Sequence, residues 1–183
     1  PCAAMNGFTP NQYNKEINKN INLNEKINKI PQNNAHLVRK AADEYYKLYF
    51  ALLEYTNNKY KINDIKKIYK QEGLDASNLI PINNYLFEHK DIIDDFVKDN
   101  TYKFNQEELE IINGFKTAVT SEHFIVTGFE REYTEILSED GKIYMVKGIR
   151  DDLDKIINPD HLPLIISTTL LMFKNNIIYN GFF

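Results

Sequence analysis

Tyr133-Thr134-Glu135-Ile136-Leu137-Ser138-Glu139-Asp140-Gly141-Lys142-Ile143-Tyr144-Met145-Val146 reads as two β-strands joined by a tight turn. β-branched and aromatic residues fill both arms, and Ser-Glu-Asp-Gly between them is turn chemistry. The same texture extends outward. Phe124-Ile125-Val126 precedes the hairpin as a further strand. Leu164–Phe173 is a long strand, Lys174-Asn175-Asn176 a turn and Ile177-Ile178-Tyr179 another strand. A short helix is expected at Asp151–Ile157, stopped by Pro159.

Upstream of residue 120 the period changes to that of helices. Val38, Ala41, Tyr45, Leu48, Leu52 and Tyr55 recur at three- and four-residue steps, predicting a buried helix from about Asn34 to Tyr55 that stops at Asn57 and Asn58. A second, short helix is expected at Asn63–Glu72, capped by Asn63 and stopped by Gly73. Asp75–Pro81 reads as a connector and Asn83–Lys98 as a third helix. Asn105 with Glu108 three residues on is a capping signature for a fourth, running to about Val119.

Helices first and strands afterwards define an α+β fold: an N-terminal helical part of about four helices, followed by a small antiparallel β-sheet of about five strands. The domain is expected over residues 34–183, with helices in 34–119 and the sheet in 123–181. Residues 1–33 form an Asn/Lys-rich arm or marginal helix, because Asn side chains compete for backbone hydrogen bonds. Pro1 to Ala4 read as a cloning scar. The expected core comprises Tyr45, Leu48, Leu52, Phe96, Phe115, Ile125, Tyr144, Leu170 and Ile178.

Composition narrows the function. Apolar residues make up 43% of the 183, enough for a sizeable core. The formal net charge of −4 argues against a dedicated nucleic-acid binder. Cys2 is the single cysteine, so a disulfide framework is excluded and an intracellular, cytoplasmic setting is favoured. No apolar run has the roughly 18 residues of a membrane helix. The seven glycines, at 7, 73, 114, 128, 141, 148 and 181, never cluster. Neither a phosphate loop nor a dinucleotide fingerprint can be drawn, and no cofactor is expected.

The remaining candidates each have a plain structural reading beside them. His123 and His161, with Asp151 and Asp152, are the candidate catalytic groups of a hydrolase or nuclease-type enzyme if the fold brings them together. Alternatively, Asp151 and Asp152 simply favour a helix N-terminus. The histidines lack metal-ligand spacing, so no metal site is assigned. Lys59, Lys61, Lys66, Lys67 and Lys70, interleaved with Tyr60 and Tyr69, are a local basic stripe opposed by one acid, Asp64. Tyr60, Lys66, Lys67 and Tyr69 are its candidate binding residues, suited to phosphates and bases. The acidic run over 88–110 competes for the same cations. Tyr60, Tyr69, Tyr85 and that acidic run are also candidates for a protein contact, since aromatics concentrate binding energy at interfaces.

The pattern of residues 43–181 resembles a family of uncharacterised proteins from low-GC Gram-positive bacteria. The likeness rests on three stretches: Asp43 through Tyr46-Lys47-Leu48-Tyr49-Phe50 to Lys59-Tyr60-Lys61-Ile62; Phe124-Ile125-Val126 to Tyr144-Met145-Val146-Lys147-Gly148; and Leu170-Leu171-Met172-Phe173-Lys174 with Ile177-Ile178-Tyr179-Asn180-Gly181. Family members are expected to carry Pro at the position of Met172 and Asp at that of Asn180. Some carry a SEC-C zinc-binding motif, whose cysteines this chain lacks. The resemblance implies a further strand and helix beyond the closing hairpin, and no activity. The functional expectation is therefore a non-catalytic protein-interaction or regulatory module with an unidentified protein partner. The enzyme and a weak nucleic-acid binder are the alternatives.

Overall fold

The computed structural model describes residues 35–71 and 73–183; the expectations for residues 1–33 lie outside them. Four helices precede five strands. Helix α1 spans Arg39–Tyr60 and buries Ala42, Tyr45, Leu48, Tyr49, Leu52 and Leu53. It runs one turn past the expected stop and closes on Lys61, whose φ is 56°. Asn57 lies inside the helix, and its side chain serves the next segment instead. Its amide donates to the carbonyls of Asn63 and Ile65 at 3.2 and 2.8 Å, and its oxygen accepts from Asn63 N–H at 3.0 Å.

That segment corrects the expected helix over 63–72. Residues 61–71 form an irregular loop. Glu54 of α1 accepts from the N–H groups of Ile68 and Tyr69, at 2.7 and 2.8 Å. A short isolated helix must overcome a costly nucleation step. Ready-made acceptors on α1 and the full burial of Ile68 win instead.

The helix count survives because the expected third helix splits. Helix α2 is Ala76–Glu88, capped by Asp75, which accepts from Ser77 N–H at 2.9 Å. The expected connector thus begins a helix, with Pro81 inside it. The lost N–H is offset by burial of the flanking Leu79 and Ile82. Helix α3 is Asp91–Asp99. Helix α4 is Gln106–Gly114 and carries the full capping box: Asn105 accepts from Glu108 N–H at 3.0 Å, and Glu108 accepts from Asn105 N–H at 2.9 Å. A 3-10 turn at Phe115–Thr117 ends the helical part. Asn105→Ala should cost about 1 kcal/mol in urea unfolding; an unchanged midpoint would mean the cap does not hold α4 in solution.

The strands are β1 (Val119–Phe129), β2 (Thr134–Leu137), β3 (Ile143–Lys147), β4 (Leu164–Phe173) and β5 (Asn176–Tyr179). They close into a barrel in the order β1-β2-β3-β5-β4, with β4 back against β1. Every pairing is antiparallel except β3 with β5, so the sheet is mixed rather than wholly antiparallel. Long β1 pairs with both β2 and β4, and irregularities between Ser121 and Phe124 and between Val126 and Gly128 let it bend around the barrel. This order, with a parallel β3–β5 closure, is that of the five-stranded Greek-key barrel called the OB-fold. A 3-10 turn, Leu153–Lys155, replaces the helix expected at 151–157, and a second, Pro159–His161, follows it.

Seven of the nine expected core residues are buried; Ile125 and Tyr144 are half-buried. Phe124 and Val126 are fully buried, while Ile125 between them faces outward. Alternation along a strand makes a one-residue error of phase exchange the two faces.

The helices grip the barrel through rings and amides. Tyr45 stacks on Tyr49 at 5.1 Å and sets its edge against Phe173 of β4 at 5.6 Å. Tyr49 hydroxyl donates to Asn83 Oδ1 of α2, which also accepts from Asn180 Nδ2 at 2.8 Å. Asn180 Oδ1 accepts from Thr168 Oγ1 at 3.2 Å and Phe182 N–H at 3.1 Å, and its carbonyl from Tyr45 hydroxyl at 3.0 Å. Burial raises the pKa of both tyrosines above the usual phenol range.

Candidate interaction surface

The strand register places one aliphatic residue from each of four strands side by side. Ile165 of β4 lies opposite Ile125 of β1, Ile125 opposite Leu137 of β2, and Leu137 opposite Ile143 of β3. Phe124, Ile136 and Ile166, next in the chain to Ile125, Leu137 and Ile165, are buried, which puts this row on the outer face. Ile165 is 61% exposed, and Ile143 and Met145 are each 58% exposed. Three strand spacings make the row about 14 Å long. Single exposed aliphatics are ordinary; here the exposed Ile143 and Ile165 end a continuous row whose middle members, Ile125 and Leu137, are half-buried.

Carboxylates bracket the row. On one side Thr127 hydroxyl donates to Glu135 Oε1 at 2.7 Å. On the other, His123 Nδ1 lies 2.7 Å from Glu139 Oε1, joining β1 to the β2–β3 turn at the surface. In that turn Lys142 pairs with Asp140 at 2.6 Å. Hydrogen bonds from Lys142, then Ser138, hold the Asp140 carboxyl down at about 2.

The expected catalytic groups are dispersed. His123 belongs to the surface pair with Glu139, and His161 is exposed in the last 3-10 turn. Asp151 is exposed. Asp152 is 2% exposed, and its partner is a histidine that sequence reasoning passes over: His36 Nδ1 lies 2.6 Å from its Oδ1, with Lys155 Nζ 3.4 Å from Oδ2. His36 sits in a segment that pairs with Gly148, through Leu37 N–H to the Gly148 carbonyl at 3.0 Å and Gly148 N–H to the Ala35 carbonyl at 2.6 Å. The pair clamps the entry to α1 onto the barrel. Among the described residues, no group of three or more His, Cys, Asp or Glu is placed to hold a metal ion.

The basic stripe is split. Lys59 pairs with Asp95 at 2.8 Å and donates to Tyr55 hydroxyl, so the acidic run neutralises part of it. Lys66 and Lys67 are exposed on the 61–71 loop, and Lys66 lines a shallow groove with Asn57, Asn63 and Asp64. Tyr60 packs on Tyr85, which stacks on His89. Tyr69 joins a different group, with Tyr102 and Phe104. No helix among the described residues is long and apolar enough to cross a membrane.

Sequence reasoning does not find the aliphatic row, although its signal is present. Ile143-Tyr144-Met145-Val146 is apolar on both faces of β3 up to its last residue, Lys147. A strand apolar on both faces inside a small barrel presents one of them to solvent unless another element covers it.

Comparison with protein-family models, curated proteins and solved structures finds no match for this chain.

Proposed function

We propose that this chain is a non-catalytic protein-interaction module whose contact surface is the outer barrel face around Ile125, Leu137, Ile143, Met145 and Ile165. The observation that carries the proposal is the contiguous outer aliphatic ladder, exposed at Ile143, Met145 and Ile165 and half-buried at Ile125 and Leu137. Barrels of this topology that bind oligonucleotides use the β2–β3 face, with aromatic stacking and basic grooves. Here that face offers Leu137, Ile143 and Met145 beside Glu135, with no aromatic ring among them and its one lysine, Lys147, already partnered, a poor match to a phosphate backbone. A likeness of fold alone carries no function. The hydrolase alternative needs His123 and His161 to converge with Asp151 or Asp152 in one site, and their separate surroundings do not favour it: Asp152 pairs with His36 instead, and His123 with Glu139.

Ile143→Glu and Ile165→Glu should each change stability by less than about 0.5 kcal/mol, as exposed substitutions do. Both should abolish capture of a cross-linked protein partner through a photoreactive group at Met145, while Lys66→Glu leaves it intact. Hydrolytic turnover that disappears in Asp152→Asn or His123→Ala would overturn the proposal. So would saturable sub-micromolar oligonucleotide binding at about 150 mM salt, abolished by Lys66→Glu with Lys67→Glu.

A further inference from the structure

We infer that the partner element seated on this face is an amphipathic helix of another protein, with an aliphatic stripe flanked by lysine or arginine. The inference rests on the proposed contact surface and adds the chemistry of its occupant. Barrel closure comes first. The ladder lies across four strands that are already paired to neighbours, so a partner cannot add a strand there and must bind through side chains. Length comes second. A row of about 14 Å matches some nine residues of helix at about 1.5 Å each, room for a stripe at i, i+3, i+4 and i+7. Met145, one pleat beyond Ile143, adds an adaptable edge.

Charge decides the flanks. Glu135 of β2 lies opposite Met145 and accepts from the Thr127 hydroxyl, and Glu139 in the β2–β3 turn meets His123. Of the nearby lysines, Lys142 is occupied by Asp140, and Lys147 at the end of β3 has a partner as well. An acidic flank on the partner would set like charges against these groups, whereas lysines would pair with them and steer the encounter. The same carboxylates disfavour an anionic lipid surface on this face.

The test uses the full chain and two synthetic helical peptides with one leucine stripe, one flanked by lysines and the other by glutamates. Binding is followed by fluorescence anisotropy and amide chemical shifts. The lysine peptide should bind saturably and at least about tenfold tighter, a factor worth about 1.4 kcal/mol, with shifts centred on Ile143 and Ile165. Glu135→Lys with Glu139→Lys should reverse the preference, a readout that misfolding would not produce. Equal binding of both peptides on this face would overturn the cationic-helix inference and leave the contact surface standing. Binding of neither, with partner capture still dependent on Ile143, would do the same. A dimer in light scattering that Ile143→Glu splits would make the occupant a second copy and overturn it as well. Failure of both peptides together with partner capture indifferent to Ile143→Glu would remove the contact surface itself.

Discussion

Asn83→Leu should lower stability by about 3–4 kcal/mol, the expected result of leaving two buried polar groups without partners at about 1–3 kcal/mol each. Asn83 Oδ1 accepts from both Tyr49 hydroxyl and Asn180 Nδ2, and all three residues are buried. The leucine fills comparable volume, so the loss measures hydrogen bonding more than cavity formation. Tyr49→Phe in the Asn83→Leu background should then recover about 1 kcal/mol, because it removes a hydroxyl that no longer has an acceptor. In the native background the same change should destabilise. Reversal of sign between the two backgrounds is the signature of a coupled pair. Urea unfolding followed by circular dichroism reads all four proteins of the cycle, with unchanged slope and shifted midpoint. Additive effects would show that the α1–α2–barrel junction is held by packing alone.

Gly148→Ala should be at least as damaging, at about 3 kcal/mol or more, placing it in the tail of single-substitution effects. A Cβ at residue 148 would lie 1.9 Å from the backbone oxygen of Asp151 and 3.0 Å from its carbonyl carbon. No rotamer relieves a clash with backbone, so the 148–152 turn must move. That turn carries the bonds to Ala35 and Leu37, and it positions Asp152 against His36. Gly128→Ala is the matched control, since a Cβ there would meet nothing within 4 Å. The two alanine variants should separate clearly by thermal unfolding. Equal midpoints would mean that the 148–152 turn relaxes freely and that the His36 clamp contributes nothing.

The local signals in the chain are sufficient for the class of fold. The 3.6-residue period through Tyr45, Leu48 and Leu52 specifies α1, and Asn105 with Glu108 specifies the start of α4. Ser138–Gly141 and Lys174–Asn176 specify two hairpins, the latter with Lys174 and Asn175 at φ 46° and 62°. These are contacts within a few residues, so the chain itself carries the information. The 63–72 segment goes the other way because its backbone partners, Asn57 and Glu54, reach it from a neighbouring helix. Pro81 is tolerated because tertiary burial around it outweighs the missing donor.

The candidate site lies beyond such reading. Ile125 and Phe124 are equally apolar, and only closure of the barrel decides which points inward. Ile165 and Ile143 stand 22 residues apart, and neither carries any local sign that Ile125 and Leu137 join them. His36 and Asp152 are 116 residues apart and meet only because the segment before α1 pairs with Gly148. Periodicity records which residues want burial; strand register and closure decide which of them obtain it, because a small barrel has one interior and β1 and β3 carry apolar residues for two faces.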